Sequence, residues 1–152
     1  MKRNYTHCAR RLGDISGQRI DRMRQAADIL WEQLQNTGIS WIGFYTIDPD
    51  KNSMTLGPSR NTPACSPIEL HGACGQAWKT RQPIIVHNIK DLGENYIACD
   101  PRDASEVVIP LFDPDGSCWG VLDADSHAIG AFDQNDADQL TKLMHLAGLT
   151  HN

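Results

Sequence analysis

The sequence of 152 residues predicts one α+β domain, spanning residues 1–152, with a mostly antiparallel sheet and a helix toward each end of the chain. Three observations predict this class. Apolar residues recur at helical spacing near both termini, strand-like apolar runs lie between them, and short turns rich in Asp, Pro and Gly join consecutive strands. Because such turns are typical of hairpins, the sheet is expected to be mostly antiparallel, with the end helices on one of its faces.

The first half of the chain is expected to hold one long helix and two strands. Residues 1–19 are basic and give no clear signal. After them, apolar spacing and turn residues predict, in order, a helix over about 17–35, a strand over 39–47, a turn over 48–52, a short strand over 54–56 and a loop over 57–73.

The second half is expected to hold three strands and a closing helix. The predicted elements are a short helix over 75–81, a strand over 83–87, a loop over 88–105, a strand over 106–112, a turn over 113–116, a strand over 118–125 and a helix capped by Asp133. Two loops longer than about 12–15 residues are unusual in a compact domain and are often functional. Both of them carry cysteines.

The composition excludes several classes of protein. A net charge of −5 opposes broad nucleic-acid binding, which depends on Lys and Arg clusters against phosphates. No apolar run approaches the roughly 20 residues of a spanning helix, and no apolar segment follows the basic N-terminal residues as in a signal peptide. The expected location is therefore the cytoplasm, with neither nucleic acid nor membrane as a partner. Five cysteines, an odd number, fit a closed disulfide framework poorly.

Side-chain alternation along the last predicted strand places carboxylates on an otherwise apolar face. That face is expected to carry four residues: Trp119, Val121, Asp123 and Asp125. Cys118 is expected on the opposite face as a small buried residue. Burial and mutual repulsion would raise the pKa of at least one of the two carboxyl groups. The alternative is that both carboxylates lie in water at a fraying strand end, since charged groups are mostly exposed.

A pocket with an aromatic wall and an acidic floor is expected on the same face. Glu106 begins the preceding strand, which the turn at 113–116 joins to the last one, so its carboxyl could join Asp123 and Asp125. Trp41 and Tyr45 share one face of the first strand and would supply the wall.

Three cysteines lie in or beside the long loops, namely Cys65, Cys74 and Cys99. Cys74 starts the short helix, and a helix N-terminus lowers the pKa of a thiol, which predicts that Cys74 is partly thiolate. Three such cysteines and the carboxyls could support thiol redox chemistry, in which one thiol attacks, another resolves the product and an acid supplies a proton. Cys8 and Cys118 are expected to be structural.

A zinc site is a competing use of these residues. His71 and Cys74 have ligand-like spacing, and His87 or Cys65 could complete the site. The sequence contains no CxxC pair, so a zinc-stabilised interaction module is the weaker alternative.

The motifs around these residues resemble those of the free methionine-R-sulfoxide reductases, which are single GAF domains. They follow the family's order over roughly residues 12–147. The matching segments are 40–45 (SWIGFY), 56–58 (LGP), 63–65 (PAC), 72–75 (GACG), 97–100 (IACD), 105–111 (SEVVIPL) and 120–126 (GVLDADS). This set is more specific than a general GAF resemblance, because most GAF sensor domains lack the three cysteines.

The resemblance implies a GAF fold, with N- and C-terminal helices on one face of a central antiparallel sheet and a loop-covered pocket on the other. It implies that Cys99 is the catalytic cysteine, Cys65 its main resolving partner and Cys74 a further redox cysteine. The pocket residues that it implies fall into two groups: Trp41 and Tyr45 lining the substrate, and Glu106, Asp123 and Asp125 holding its ammonium group and polarising the sulfoxide.

The implied activity is the reduction of free L-methionine-R-sulfoxide to methionine. Cys99 would attack the sulfoxide sulfur while a carboxylic acid protonates the oxygen, and the resulting sulfenic acid would form a disulfide with Cys65 or Cys74. A thioredoxin-type partner would restore the thiols, no organic cofactor or metal is required, and a homodimer stays open. The alternative function is a non-catalytic GAF domain that senses a small molecule or redox state.

Overall fold

The computed structural model describes residues 3–95 and 99–151. The helices within these ranges are α1 (Tyr5–Leu12), α2 (Arg19–Leu34), α3 (Ala73–Thr80) and α4 (Gln134–Leu146). The strands are β1 (Ile39–Ile47), β2 (Ser53–Arg60), β3 (Ile68–Glu69), β4 (Ile84–Val86), β5 (Ser105–Phe112) and β6 (Cys118–Ser126). The predicted loop 88–105 also contains a 3₁₀ segment at Ile89–Asn95. None of the described helices is long and apolar enough to cross a membrane.

The strands form one sheet in the order β3-β2-β1-β6-β5-β4, and each neighbouring pair is antiparallel. The central strands β1 and β6 are far apart in sequence, whereas β5 and β6 are joined by the predicted turn, in which Asp113 N–H donates to the Ser117 carbonyl at 2.8 Å. The predicted α+β class and antiparallel sheet are confirmed.

The helices α1, α2 and α4 cover one face of the sheet and form the larger of two apolar cores with β1, β5 and β6. We call this the helix-side core. Leu30, Leu122 and Leu140 are fully buried within it. Asp133 and Asp136 exchange hydrogen bonds of 2.9 and 3.0 Å between side chains and backbone N–H groups at the start of α4, which confirms the predicted cap.

Two elements differ from the sequence prediction for identifiable reasons. Helix α1 gives no clear signal because basic residues surround its three buried positions, Tyr5, Cys8 and Leu12. Strand β2 continues beyond the predicted 54–56 although it contains Pro58. Its described pairing with β3 involves only Ser53 and Met54, so Pro58 lies on an edge, where a missing N–H leaves no ladder bond broken.

The predicted faces of β6 are wrong at its first residues. The β5–β6 pairing shifts so that Phe112 lies opposite Cys118 and Trp119 is an extra residue in β6. This bulge turns Trp119 into the helix-side core, where its indole N–H donates to the Leu149 carbonyl at 3.0 Å. Cys118 consequently lies beside Phe112 and is only half-buried. The alternation beyond the bulge is as predicted, with Asp123 on the face opposite the helices.

Candidate active site

The face of the sheet opposite the helix-side core carries a cavity of about 590 Å³. Its floor comes from β1, β5 and β6, and its walls come from the start of α3 and from the loops before β3 and around Cys99. Seven of the site residues predicted from the sequence line it: Trp41, Tyr45, Cys74, Cys99, Glu106, Asp123 and Asp125. The eighth, Cys65, is bonded to Cys99. The structure therefore brings all of the predicted site residues to one place.

Strand register brings Glu106, Asp123 and Asp125 together, and we call these three residues the acid cluster. Glu106 lies directly opposite Asp125 in the β5–β6 ladder, and Asp123 lies two residues before Asp125 on the same face of β6. Asp123 is 5% exposed, and its Oδ1 has no hydrogen-bond partner among the described residues. A buried polar atom without a partner is costly, so its presence calls for an explanation such as a role in binding or catalysis.

Burial raises the pKa of all three carboxyls of the acid cluster. For Asp123 and Asp125 the neighbouring carboxylates raise it further, since like charges so close together cannot all ionise cheaply. For Glu106, hydrogen bonds from the two aspartic acids oppose the effect of burial. Part of the acid cluster therefore keeps protons where an isolated carboxyl would have lost them.

Two rings of β1 form the aromatic wall. The Trp41 indole N–H donates to the Thr62 carbonyl at 3.1 Å, and the Tyr45 hydroxyl donates to the Cys65 carbonyl at 2.9 Å. The ring centroids are 6.1 Å apart. Gly43, between them, provides the necessary room: a Cβ there would lie 2.7 Å from the Trp41 ring. The hydrogen bond from Tyr45 also fixes the backbone that carries Cys65.

The Sγ atoms of Cys65 and Cys99 form a disulfide across 34 residues of sequence, with their Cα atoms 5.4 Å apart. Both cysteines are exposed at the mouth of the cavity. This is the pair that the family resemblance implies. Two residues of the motif before Cys99, Ile97 and Ala98, lie outside the described residues.

Cys74 is buried near the start of α3, and its Sγ lies within 4.8 Å of carboxylate oxygens of Glu106 and Asp123. Helix α3 packs closely here because Gly75 contacts the Leu70 backbone where a Cβ would clash. Burial raises the pKa of the Cys74 thiol well above its usual value, and Asp123 and Glu106 raise it further. The prediction of a partly ionised thiol is therefore wrong, because desolvation and the nearby carboxyls outweigh the helix N-terminus.

The proposed zinc ligands do not converge. His71 is exposed and its Nδ1 lies 3.3 Å from Glu69, while Cys74 is buried. Over residues 3–95 and 99–151, two groups have ligand atoms close enough to hold a metal, within 4.8 Å of one another: Cys74 with Glu106 and Asp123, and Asp100 with Asp103 and His127. Neither group contains His71 or His87.

The cysteines predicted to be structural lie away from the cavity. Cys8 is buried in the helix-side core, and burial raises the pKa of its thiol to about 11. Cys118 donates to the Gly120 carbonyl at 3.3 Å.

A charged cluster at the cavity rim was not among the predicted site residues. Asp100 accepts hydrogen bonds from Arg102, and the His127 Nε2 lies 3.3 Å from its Oδ2. The Asp100-Pro101 dipeptide signals a turn. However, nothing in the sequence brings His127 to this turn, because that contact depends on the end of β6.

Sequence comparisons relate this chain to a known domain family and to proteins with named activities. The model of the GAF domain family matches residues 21–150. The free methionine-R-sulfoxide reductase of Saccharomyces cerevisiae is 34% identical over 128 residues, which cover 82% of this chain and 71% of that protein. The free methionine-R-sulfoxide reductase of Escherichia coli is 37% identical over 119 residues, covering 76% of this chain and 67% of that protein.

Among solved structures, the free methionine-R-sulfoxide reductase of Neisseria meningitidis in complex with its substrate matches with a TM-score of 0.81 and 33% identity. The match covers 94% of this chain and 83% of that one. The fold, the extent of the matches and the agreement of sequence and structure comparisons lead to one conclusion. The chain belongs to the GAF domain family and, within it, to the free methionine-R-sulfoxide reductases.

Proposed function

We propose that this protein reduces free L-methionine-R-sulfoxide to methionine with Cys99 as nucleophile and Cys65 as resolving cysteine. The observation that carries the proposal is the position of the Cys65–Cys99 disulfide at the mouth of a cavity whose floor is the acid cluster. Membership of the reductase family supports the substrate, since two relatives and a solved structure carry that activity in their names.

The acid cluster supports recognition of a free amino acid. A carboxylate binds the ammonium group of the substrate through charge-assisted hydrogen bonds, and the unpartnered Oδ1 of Asp123 is available for one of them. A methionine sulfoxide within a polypeptide has an amide at that position, so it would leave the buried carboxylate unpaired. Trp41 and Tyr45 offer ring faces to the polarisable sulfur and its methyl group.

The disulfide between Cys65 and Cys99 supports a redox step that uses both thiols. The Cys99 thiolate attacks the sulfoxide sulfur while an acid of the cluster protonates the sulfoxide oxygen. The resulting hydroxyl then moves to the Cys99 sulfur as the S–O bond and the new S–S bond break, so methionine leaves reduced by two electrons and Cys99 becomes a sulfenic acid. The Cys65 thiol then displaces water from this sulfenic acid. In sum, two thiols and one sulfoxide give one disulfide, one thioether and one water.

The two sulfur atoms of the pair lie where a reductant can reach them, since Cys65 and Cys99 are both exposed. A thioredoxin-type dithiol would attack the disulfide and restore both thiols by exchange. This cycle requires a reducing compartment, which we take to be the cytoplasm. Cys74, buried beside the acid cluster with a raised pKa, fits a secondary redox role better than the first attack.

The proposal is tested by incubating the reduced protein with dithiothreitol and each sulfur epimer of free methionine sulfoxide, with N-acetylmethionine sulfoxide as a blocked control. Methionine should form from the free R epimer only. Binding of the R epimer without any methionine formation would contradict the proposal and favour the sensor alternative.

A further inference from the structure

The charged groups that line the cavity are strongly unbalanced. The described lining residues include five acids, and Arg102 is the only Lys or Arg among them. A free amino acid carries both an ammonium group and a carboxylate. The acid cluster accounts for recognition of the ammonium group, but it would repel the carboxylate unless a cation lies close by.

Arg102 is held at the rim of the cavity by Asp100. The Asp100 carboxylate accepts hydrogen bonds from the Arg102 backbone N–H at 2.9 Å, from Nε at 3.1 Å and from Nη2 at 3.0 Å. A guanidinium has five N–H donors. Asp100 accepts from the edge of the Arg102 guanidinium that carries Nε and Nη2. Nη1, on the other side, has no hydrogen-bond acceptor among residues 3–95 and 99–151.

The position of Arg102 suits a substrate whose ammonium and carboxylate groups are attached to the same carbon atom. Arg102 and Asp103 line the same cavity as Glu106, Asp123 and Asp125. Glu106 follows Arg102 by four residues. Because Arg102 lines the same cavity, a ligand whose ammonium group is bound by the acid cluster can present its carboxylate to the guanidinium.

We propose that Arg102 binds the carboxylate of the substrate amino acid while the acid cluster binds its ammonium group. The free guanidinium edge offers the paired N–H donors that match a carboxylate. Asp100 is a positioning residue in this scheme, because its hydrogen bonds orient the guanidinium. This inference rests on the proposed function, because it concerns the same substrate.

Substitution of Arg102 is not expected to disturb the fold. Its side chain is 71% exposed, and ion pairs at such positions contribute little to stability. A change in activity after Arg102→Gln therefore reports on the cavity. The free R-sulfoxide of methionine and that of methioninamide form a matched pair of substrates, because the amide keeps the ammonium group and replaces the carboxylate by a neutral group.

The test is steady-state kinetics of the wild type, Arg102→Gln and Arg102→Lys on both substrates. Arg102→Gln should raise KM for the free amino acid at least about tenfold, as expected for loss of a charged hydrogen bond, with kcat nearly unchanged. It should leave KM for the amide unchanged. Arg102→Lys should recover part of the loss, because it keeps the charge but not the paired donors.

Arg81→Gln is the matched control. The Arg81 guanidinium is likewise held by a hydrogen bond, in this case to the Gly116 carbonyl at 2.7 Å, but Arg81 does not line the cavity. It should change neither KM. An Arg102→Gln enzyme that loses activity equally on both substrates, or on neither, would overturn the inference. A wild type that is inactive on the free R-sulfoxide would instead refute the proposed function, and this inference with it.

Discussion

The two faces of one strand differ in what they contribute to the molecule. On β6, Leu122 and Ala124 are 1% exposed and pack in the helix-side core. Asp123, between them, is almost as deeply buried on the other face, where its Oδ1 has no partner among the described residues. Apolar burial on the first face stabilises the fold, and carboxyl burial on the second face costs stability.

Under the proposed function, residues that stabilise the fold therefore alternate along β6 with residues that bind or protonate the substrate. Because successive side chains of a strand point to opposite faces, the packed helices hold the acid cluster in place without occupying the cavity. A substitution on one face should therefore change stability with little effect on chemistry per folded molecule, and a substitution on the other should do the reverse. The predictions below test that separation.

The largest effect is expected at Cys99, the proposed nucleophile. Cys99→Ser should form no methionine even in a single turnover, because a hydroxyl is a far weaker nucleophile than a thiolate. Cys65→Ser should form methionine once and then fail to be recycled by thioredoxin. Rapid-quench measurement of methionine checks both variants, with Cys118→Ser as the control. A full single turnover by Cys99→Ser would contradict the assignment.

On the helix side, Leu122→Ala should lower the free energy of unfolding by about 2–5 kcal/mol, the usual cost of removing a fully buried leucine side chain. Urea unfolding measures this loss. The value of kcat/KM per folded molecule should change by less than about threefold, since the side chain points away from the cavity. If kcat/KM fell strongly in a sample of Leu122→Ala that is fully folded, the helix side of β6 would affect activity as well as stability.

On the cavity side, Glu106→Gln and Asp125→Asn should each lower activity by at least about 10²-fold, the lower scale for loss of a positioned proton donor. A residue that mainly binds ammonium should show the loss in KM, and one that mainly donates the proton should show it in kcat. Asp138→Asn, on the exposed side of α4, is the control. If both variants and Asp123→Asn kept nearly the wild-type kcat/KM, the acid cluster would not be the site of the reaction.

The smallest effect concerns the pH dependence of stability. A carboxyl with a raised pKa binds more protons in the folded than in the unfolded state, so its contribution is favourable at low pH and is lost as pH rises above about 4. Asp123→Asn removes one such group. The wild type should therefore lose stability relative to Asp123→Asn as the pH rises from 4 to 8.

Urea unfolding of both proteins at pH 4, 6 and 8, with the disulfide intact, measures this difference. Wild-type stability that rises relative to Asp123→Asn over the same range would mean that Asp123 is ionised and paired in the folded protein.

Much of the fold followed from local patterns in the sequence. The β1 bounds match the predicted range because 39–47 is a continuous aromatic and β-branched run, and alternation alone places Asp123 and Asp125 on one face. Trp119 does not follow the same rule, because its orientation depends on a bulge that forms only when β6 pairs with β5. Alternation predicts faces within a regular ladder, and it fails where the partner strand shifts the register.

The candidate site was predictable where its residues lie in short sequence motifs. The family motifs carry the cysteines and carboxyls, so their grouping in one cavity could be expected. The raised pKa of the Cys74 thiol could not, because it depends on burial by α3 and on carboxyls from two distant strands. The contact of Asp100 with His127 likewise depends on the tertiary path of the chain.

The most direct test of the central claim is a single turnover with mapped products. Fully reduced protein is mixed with excess free L-methionine-R-sulfoxide without any reductant, and methionine, lost thiols and disulfide-linked peptides are quantified. We expect one methionine per chain, loss of two thiols and a bridge between Cys65 and Cys99. A bridge that involves Cys8 or Cys118 instead, or methionine formed with all five thiols intact, would contradict the account.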